Sequence, residues 1–277
     1  MRTFFITGVS SGLGRAIAKA ALDQGHRVAG TVRDDDDGRA FEALSPDLAH
    51  ARLLDVTDDD AVFATVADVE SSVGAIDVVI ANAGYGVEGV FEETPLAIMR
   101  EQFATNVFGV AATLQAALPG MRARRAGHLM AVTSMGGLMA VPGMSAYCAS
   151  KFAVEGMLES LRKEVSDFGI HVTAIEPGSF RTDWAGRSMT RAQRSIPDYD
   201  ALFDPIRAAR RTASGNQRGN PAKAAQAILS ILDVASPPGH LVLGSDALAL
   251  IGSARAAVDD DIHTWEHVSR STDFPAS

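Results

Sequence analysis

Tyr147 and Lys151 stand four residues apart in Tyr147-Cys148-Ala149-Ser150-Lys151. On a helix this spacing stacks the two side chains on one face, one turn above the other. A phenol with a pKa of ~10 is a poor acid or base near neutrality. A neighbouring ammonium favours the phenolate, so the pair could pass a proton to or from a substrate oxygen. The same spacing also occurs on ordinary solvated helix faces, and the pair needs company to mean chemistry. Ser134 closes an apolar run thirteen residues before the tyrosine and offers a hydroxyl for the same oxygen. Its competing reading is a plain turn serine.

A second cluster lies near the N-terminus. Thr7-Gly8-Val9-Ser10-Ser11-Gly12-Leu13-Gly14 follows a strand-like segment and opens a helical pattern. Gly8 permits a sharp exit from the strand, Gly12 lets backbone approach a pyrophosphate, and Gly14 lets the helix pack against the sheet. The helix start supplies unpaired N–H groups and a positive dipole end for phosphates. Strand, turn and helix in that order predict a bound dinucleotide rather than a bare turn. The cofactor type is read at the end of the second strand, where an acid would bond the ribose hydroxyls of NAD. That position falls on Val32, and the next residue, Arg33, has a planar fork suited to a 2′-phosphate, with Ser11 able to add a hydroxyl. NADP(H) is therefore expected over NAD(H). The four acids Asp34–Asp37 argue the other way, unless a turn points them to water.

Other motifs have blander readings. His263-Thr264-Trp265-Glu266-His267 spells an inverted zinc-protease pattern, but it lies in the last fifteen residues with no clear downstream ligand-bearing segment. A polar terminal helix face is preferred, and no metal is expected. His26, His50, His128, His171 and His240 mostly sit at strand starts and read as solvated ends. Asp58–Asp60 suits the first turn of a helix. Cys148 is read as packing rather than as a redox thiol. Seven arginines (Arg187, Arg191, Arg194, Arg207, Arg210, Arg211 and Arg218), with Arg181 just before, occupy the segment from Thr182 to about Asn220. They are read as solvating a loop rather than as binding a substrate carboxylate.

The elements that must hold these groups follow from hydrophobic periodicity. Strands are expected at Thr3–Thr7, Arg27–Val32, Ala51–Leu54, Asp77–Ala81, His128–Thr133, His171–Glu176 and His240–Leu243, mostly near-continuous apolar runs as in parallel strands covered on both faces. Helices are expected at about Leu13–Gln24, Asp58–Val73, Leu96–Met121 and Ser145–Phe168. This alternation predicts an α/β, doubly wound parallel sheet of about seven strands in a single domain spanning the chain. The segment 182–220 breaks the rhythm and is expected to act as a substrate lid. Asp246–Arg270 reads as a helical extension, and 271–277 as a frayed tail. The 47% hydrophobic content over 277 residues is ample for a core, and the net charge of −9 argues against nucleic acid as a partner. One cysteine excludes an internal disulfide, and there is no signal-peptide core or apolar run near 18 residues. A soluble cytoplasmic protein with no membrane partner is expected.

T-G-x-x-x-G-x-G with Y-x-x-x-K resembles the short-chain dehydrogenase/reductase family, whose fold is Rossmann-like. Further landmarks appear in order: Asp55-Val56, Asn82-Ala83-Gly84, Asn106, Ser134, and Pro177-Gly178 followed by Thr182. The resemblance covers about Arg2 to Thr182 plus the last strand. It implies Tyr147 as general acid/base and Lys151 as the group that lowers its pKa and holds the nicotinamide ribose. It further implies Ser134 as the hydroxyl that polarises the carbonyl, and Asn106 as the residue that positions a relay water. Asp55 and Val56 match adenine contacts, Asn82 the strand-end residue beside the cofactor, and Thr182 a carboxamide contact. The implied activity is NAD(P)-dependent interconversion of a ketone and a secondary alcohol by a homo-oligomer, most simply a dimer paired through Leu96–Met121 and Ser145–Phe168. Pocket walls are expected from Val87, Phe91, Met135, Leu138, Met139, Met144, Phe180, Trp184, Met189 and Phe203, an apolar set suited to a medium or bulky substrate. A non-catalytic dinucleotide sensor on the same fold is the alternative, and the intact tetrad argues against it.

Overall fold

The apolar runs become parallel strands. β1 (Thr3–Ile6), β2 (Arg27–Val32), β3 (Ala49–Leu53), β4 (Val78–Ala81), β5 (Gly86–Glu88), β6 (Gly127–Val132), β7 (Ile170–Pro177), β8 (Met189–Arg191) and β9 (His240–Leu243) follow in chain order. Seven of them form one parallel sheet in the order β3-β2-β1-β4-β6-β7-β9, while β5 and β8 pair separately. The computed structural model describes residues 1–182, 184, 186 and 188–274, so Arg187 and the tail residues 275–277 lie outside the described residues.

The helices are α1 (Gly12–Asp23), α2 (Asp35–Glu42), α3 (Asp59–Ser72), α4 (Leu96–Phe103), α5 (Gly109–Arg124), α6 (Ser145–Val165), α7 (Asp200–Ala213), α8 (Pro221–Ser230), α9 (Ser245–Thr264) and α10 (Glu266–Arg270). Side chains alternate along β1: Phe4 and Ile6 pack with Ile17 of α1, Phe41 of α2 and Ile228 of α8. Phe5 faces the other way, into a core with Val66 of α3, Leu114 of α5 and Leu158 of α6. Burying each such side chain contributes ~1.5–3 kcal/mol, which is why a sheet with both faces covered is the solution for these strands. The chain winds outward from β1 to β3 and then returns to the far side of β1 at β4. The crevice beyond the carboxyl ends of β1 and β4 is the point where strand order reverses, the place where open α/β sheets bind ligands. Among the described residues no helix is long and apolar enough to cross a membrane.

Several expectations are corrected. Asp34–Asp37 is not a turn: Asp34 Oδ1 accepts from the Asp37 amide at 2.8 Å and caps α2, and Asp35 to Asp37 form its first turn. With an N-cap and dipole-matched acids in place, poor intrinsic propensity does not prevent the helix. The single helix expected over Leu96–Met121 is two α segments joined by a π turn, Ala104–Phe108. The segment 182–220 contains β8 and α7 rather than irregular chain, and α8, whose cap is Asn220, was not expected. His128 is no solvated end. It is 5% exposed on a central strand, and its Nε2 lies 2.8 Å from Thr173 Oγ1, whose hydroxyl donates to the Pro238 carbonyl. His263 and the pair Glu266–His267 fall on α9 and α10, on either side of Trp265, and His263 is exposed.

Candidate active site

Gly8 and Gly12 adopt φ of 75° and 60°, conformations that side chains rarely take, so the chain can turn sharply out of β1. Gly14 is required by crowding: a Cβ there would press into Gly8 O and Asn82 Nδ2, well under the 3.0 Å that real Cβ atoms keep. The turn is tied to β4 by a small lattice. Thr7 Oγ1 accepts from the amides of Asn82 and Ala83, and Asn82 Nδ2 donates to the Thr7 and Gly8 carbonyls at 2.9 and 3.0 Å. From β2, Thr31 Oγ1 accepts from the Gly8 amide at 3.1 Å. Asn82 is thus first a strut of the glycine turn. Ser11 stands at the N-cap of α1 without a side-chain cap bond, leaving its hydroxyl for a ligand.

One cavity of about 850 Å³ runs across this switch point. Gly8, Ser10, Ser11, Gly12 and Leu13 line one end, with Arg33, Asp55 and Val56 beside them; Asn82, Ala83 and Gly84 lie at its middle. Ser134, Tyr147, Lys151, Pro177, Gly178 and Thr182 line it as well, with Thr182 beside Gly12. Gly14 and Asn106 stand behind its wall. The Asp55 carboxyl is held below its ordinary pKa, first by the Thr57 amide and then by the Thr57 hydroxyl. These features fit a dinucleotide: a glycine turn at a helix start, an uncommitted hydroxyl, and an elongated cleft along the strand ends.

The reacting end is built by α6 and the end of β6. Lys151 and Tyr147 are both buried, and Lys151 Nζ donates to the Val132 carbonyl at 2.8 Å, 5.8 Å from the Tyr147 ring centroid. Burial pushes the Tyr147 phenol above its ordinary pKa, with the Ser134 hydroxyl opposing, and pushes Lys151 down to about 8, with Glu155 opposing. The net direction for Tyr147 is therefore opposite to that expected from the ammonium, because desolvation outweighs the Ser134 hydrogen bond. Ser134 Oγ accepts from the Gly136 amide at 3.0 Å, which fixes its hydroxyl at the cavity wall.

Asn106 lies in the π turn, fully buried. Its Nδ2 donates to the Tyr85 carbonyl and Ser150 Oγ, and its Oδ1 accepts from the Tyr85 amide. A π turn breaks the regular helical ladder and is frequent at functional sites. Sequence reasoning missed Thr7, Thr31, Tyr85 and Ser150. A threonine before the glycine turn and a serine before the lysine were the available signals.

The substrate side is partly as expected. Met135, Met139, Met144, Phe180, Trp184 and Met189 line the cavity, and the Trp184 ring lies 5.0 Å from that of Tyr147. Val87 and Phe203 are instead buried, Phe91 is exposed, and Leu138 packs in a cluster with α9. Cys148 reaches the cavity, and burial raises its thiol, which disfavours the reactive thiolate.

Four of these arginines are held in ion pairs rather than solvating a loop. Arg191, Arg207 and Arg210 converge on the buried carboxylate of Glu88 at 3.1, 3.6 and 3.2 Å. Arg194 pairs with Glu93, Asp200 and Asp204, and Glu93 Oε1 also accepts from the Ser195 and Ile196 amides. Two buried acids thus anchor the segment after β8. Arg211 and Arg218 are exposed.

Comparison with known proteins agrees with this geometry. Residues 2–193 match the family model described as short chain dehydrogenase. The chain is 37% identical over 269 residues to the Botryotinia fuckeliana protein named oxidoreductase BOA17, covering 97% of this chain and 98% of that one. It is 34% identical over 261 residues to the 3-ketodihydrosphingosine reductase of Bacteroides thetaiotaomicron, covering 93% of each. Among solved structures, a short-chain dehydrogenase from Streptomyces avermitilis superposes with a TM-score of 0.92 at 39% identity, covering 99% of this chain and 100% of that one. With its strand order, glycine turn and Tyr147–Lys151 pair, the chain belongs to the short-chain dehydrogenase family and is an oxidoreductase of it.

Proposed function

We propose that the protein interconverts a ketone and a secondary alcohol on a medium or bulky apolar substrate, using NADP(H) in preference to NAD(H). The observation that carries this reading is the convergence of the Tyr147 phenol, the Ser134 hydroxyl and the Lys151 ammonium on the same cleft as the glycine turn. Gly8, Ser10, Ser11, Gly12 and Leu13 would hold the pyrophosphate, Asp55 and Val56 the adenine, and Lys151 and Thr182 the nicotinamide end. A nicotinamide held there would supply or accept the hydride. Ser134 donates a hydrogen bond to the substrate oxygen, and Tyr147 delivers a proton to it as the alkoxide develops. A phenol that burial keeps protonated is already in the state needed for reduction. The ammonium of Lys151 stabilises the phenolate left behind. The methionines and Trp184 exclude water from the reacting oxygen. The resemblance to a 3-ketodihydrosphingosine reductase supports this substrate class.

The cofactor preference rests on Arg33. It lines the cavity beside Val32 and Ser11, and among the described residues no ion pair ties it to the acids that follow. Asp34 and Asp37 also line the cavity, but Asp34 is committed to its capping bond with the Asp37 amide, and Asp36 is paired with Arg39. A dimer paired through α4–α5 and α6 is supported by the exposed Leu96, Phe108 and Phe152 on those helices. The single, buried cysteine fits the reducing cytoplasm, where we place the protein. The test is a panel of ketones and alcohols followed by cofactor absorbance with both cofactors, on wild type and Tyr147→Phe. The variant should bind cofactor and lose turnover; near-wild-type rates in it would sink the mechanism.

A further inference from the structure

The helix that carries Tyr147 and Lys151 continues with acids at the same spacing. Lys151, Glu155 and Glu159 follow at i, i+4 and i+8, so the two carboxylates share the face on which the lysine lies. On the sheet, Ala174 of β7 is opposite His240 of β9, and Glu176 lies two residues further along the same face, diagonal to the histidine. Three elements therefore deliver Glu155, Glu176 and His240 to one point, and one ligand atom from each lies within 4.8 Å of the others.

The partners of these groups are incomplete. His240 Nδ1 is 2.5 Å from Glu176 Oε1 and 3.7 Å from Glu155 Oε2. Glu176 is fully buried and Glu155 is 5% exposed. Among the described residues no group makes a full hydrogen bond to either oxygen of Glu155 or to Oε2 of Glu176, although the Thr133 hydroxyl lies close enough to Glu155 to lower its pKa. The hydroxyl of neighbouring Thr133 is committed to the Ile175 carbonyl at 3.0 Å. Arg162 is spent on Glu159 and on the Val172 and Gly239 carbonyls, and Lys151 on the Val132 carbonyl. A buried carboxylate with unpaired oxygens is costly to ionise, and burial accordingly raises the pKa of both Glu155 and Glu176, against the opposing pull of His240.

We propose that Glu155, Glu176 and His240 form a binding site for a divalent transition-metal cation, best zinc, distinct from the oxidoreductase cleft. Two carboxylates and a neutral imidazole neutralise a dication. One nitrogen with two oxygens is a ligand set for zinc or its neighbours rather than for magnesium or calcium. Ligand atoms about a tetrahedral zinc with bonds of ~2.0–2.2 Å lie roughly 3.3 Å apart, so the 2.5 and 3.7 Å separations need only small adjustments. The outer support is already built: His240 Nε2 is 2.6 Å from Glu159 Oε1, which Arg162 holds at 2.8 Å. A carboxylate on the far nitrogen fixes the ring so that Nδ1 faces the ion. The half-exposed His240 leaves a route for entry and for a water as fourth ligand. The ion would pin α6 to β7 and β9 directly behind the catalytic pair, and the proposal is independent of which substrate the cleft takes.

The test uses the full-length protein, freed of metal with a chelator and titrated by calorimetry with zinc chloride, with magnesium chloride as comparison. One zinc per chain is expected, with a rise of about 5 °C in the unfolding midpoint at a hundredfold excess over Kd and no comparable response to magnesium. Glu155→Gln and Glu176→Gln, each close to isosteric, should weaken zinc at least tenfold while circular dichroism shows a native fold. The double variant His263→Ala/His267→Ala should keep the site. No stoichiometric zinc in the wild type, binding that survives in both glutamine variants, or binding lost with His263 and His267, would overturn the proposal.

Discussion

Replacing Gly14 by Ala tests the cofactor cradle at its tightest point. The added Cβ would be driven against Gly8 O and Asn82 Nδ2, with Asn82 Cγ only 3.1 Å away. Two responses are open. Asn82 can swing off, losing its bonds to the Thr7 and Gly8 carbonyls, or α1 can retreat from the sheet and open the buried packing around Ile17. The first response forfeits two hydrogen bonds of ~0.5–1.5 kcal/mol each. Overpacking against the remaining Gly8 carbonyl adds ~1–3 kcal/mol, for a total near 2–6 kcal/mol. Either response moves the α1 amides that would face the pyrophosphate, so stability and cofactor affinity should fall together. Urea unfolding gives the first quantity and cofactor titration by intrinsic fluorescence the second. Truncating the strut in Gly14→Ala/Asn82→Ala relieves only the contact with the amide, so the double variant should cost less than the sum of the singles. A Gly14→Ala protein within ~0.5 kcal/mol of wild type and with unchanged cofactor affinity would refute this account of the turn.

Arg33→Ala should lower kcat/KM with NADPH roughly ten- to hundredfold, the worth of a charge-assisted pair of ~1.5–3 kcal/mol, and change NADH little; equal losses with both would show that Arg33 does not read the phosphate. His128 has a folded pKa of about 3 against 6.5 unfolded. Its contribution to stability is present above pH 6.5 and is lost as pH falls towards 3, with about 2 kcal/mol gone by pH 5. The urea midpoint of His128→Gln should therefore fall less between pH 7 and pH 5 than that of wild type, and parallel slopes would count against the buried neutral imidazole. Glu88→Gln leaves Arg191, Arg207 and Arg210 without their shared carboxylate and should speed tryptic nicking of 182–220, while cofactor with substrate should slow it in wild type; equal protection in free and bound protein would remove the lid. Sedimentation at micromolar concentration should give a dimer, and a monomer would end the proposed pairing through α4–α5 and α6.

What the sequence by itself determined is what depends on near neighbours along the chain. Apolar runs specify parallel strands because both faces must be covered. The glycine spacing specifies the turn because Gly8 and Gly12 take positive φ and Gly14 admits no Cβ. Tyr147 and Lys151 share a face because the α-helix repeats every 3.6 residues. Helix α2 escaped a reading that searched for apolar periods, since its stability comes from the Asp34 cap and the burial of Phe41. What only the tertiary structure decided is which distant groups meet. Glu88 and Arg210 are 122 residues apart in sequence and 3.2 Å apart in space, so arginines that look like a solvated run become anchors of an ordered segment. His128 and His240 both lie at or next to a strand start, yet one is sealed beneath Thr173 and the other joins two buried glutamates. The physical reason is common to these cases. Burial and charge pairing are set by what packs alongside, and strand order and register, rather than spacing along the chain, choose those neighbours.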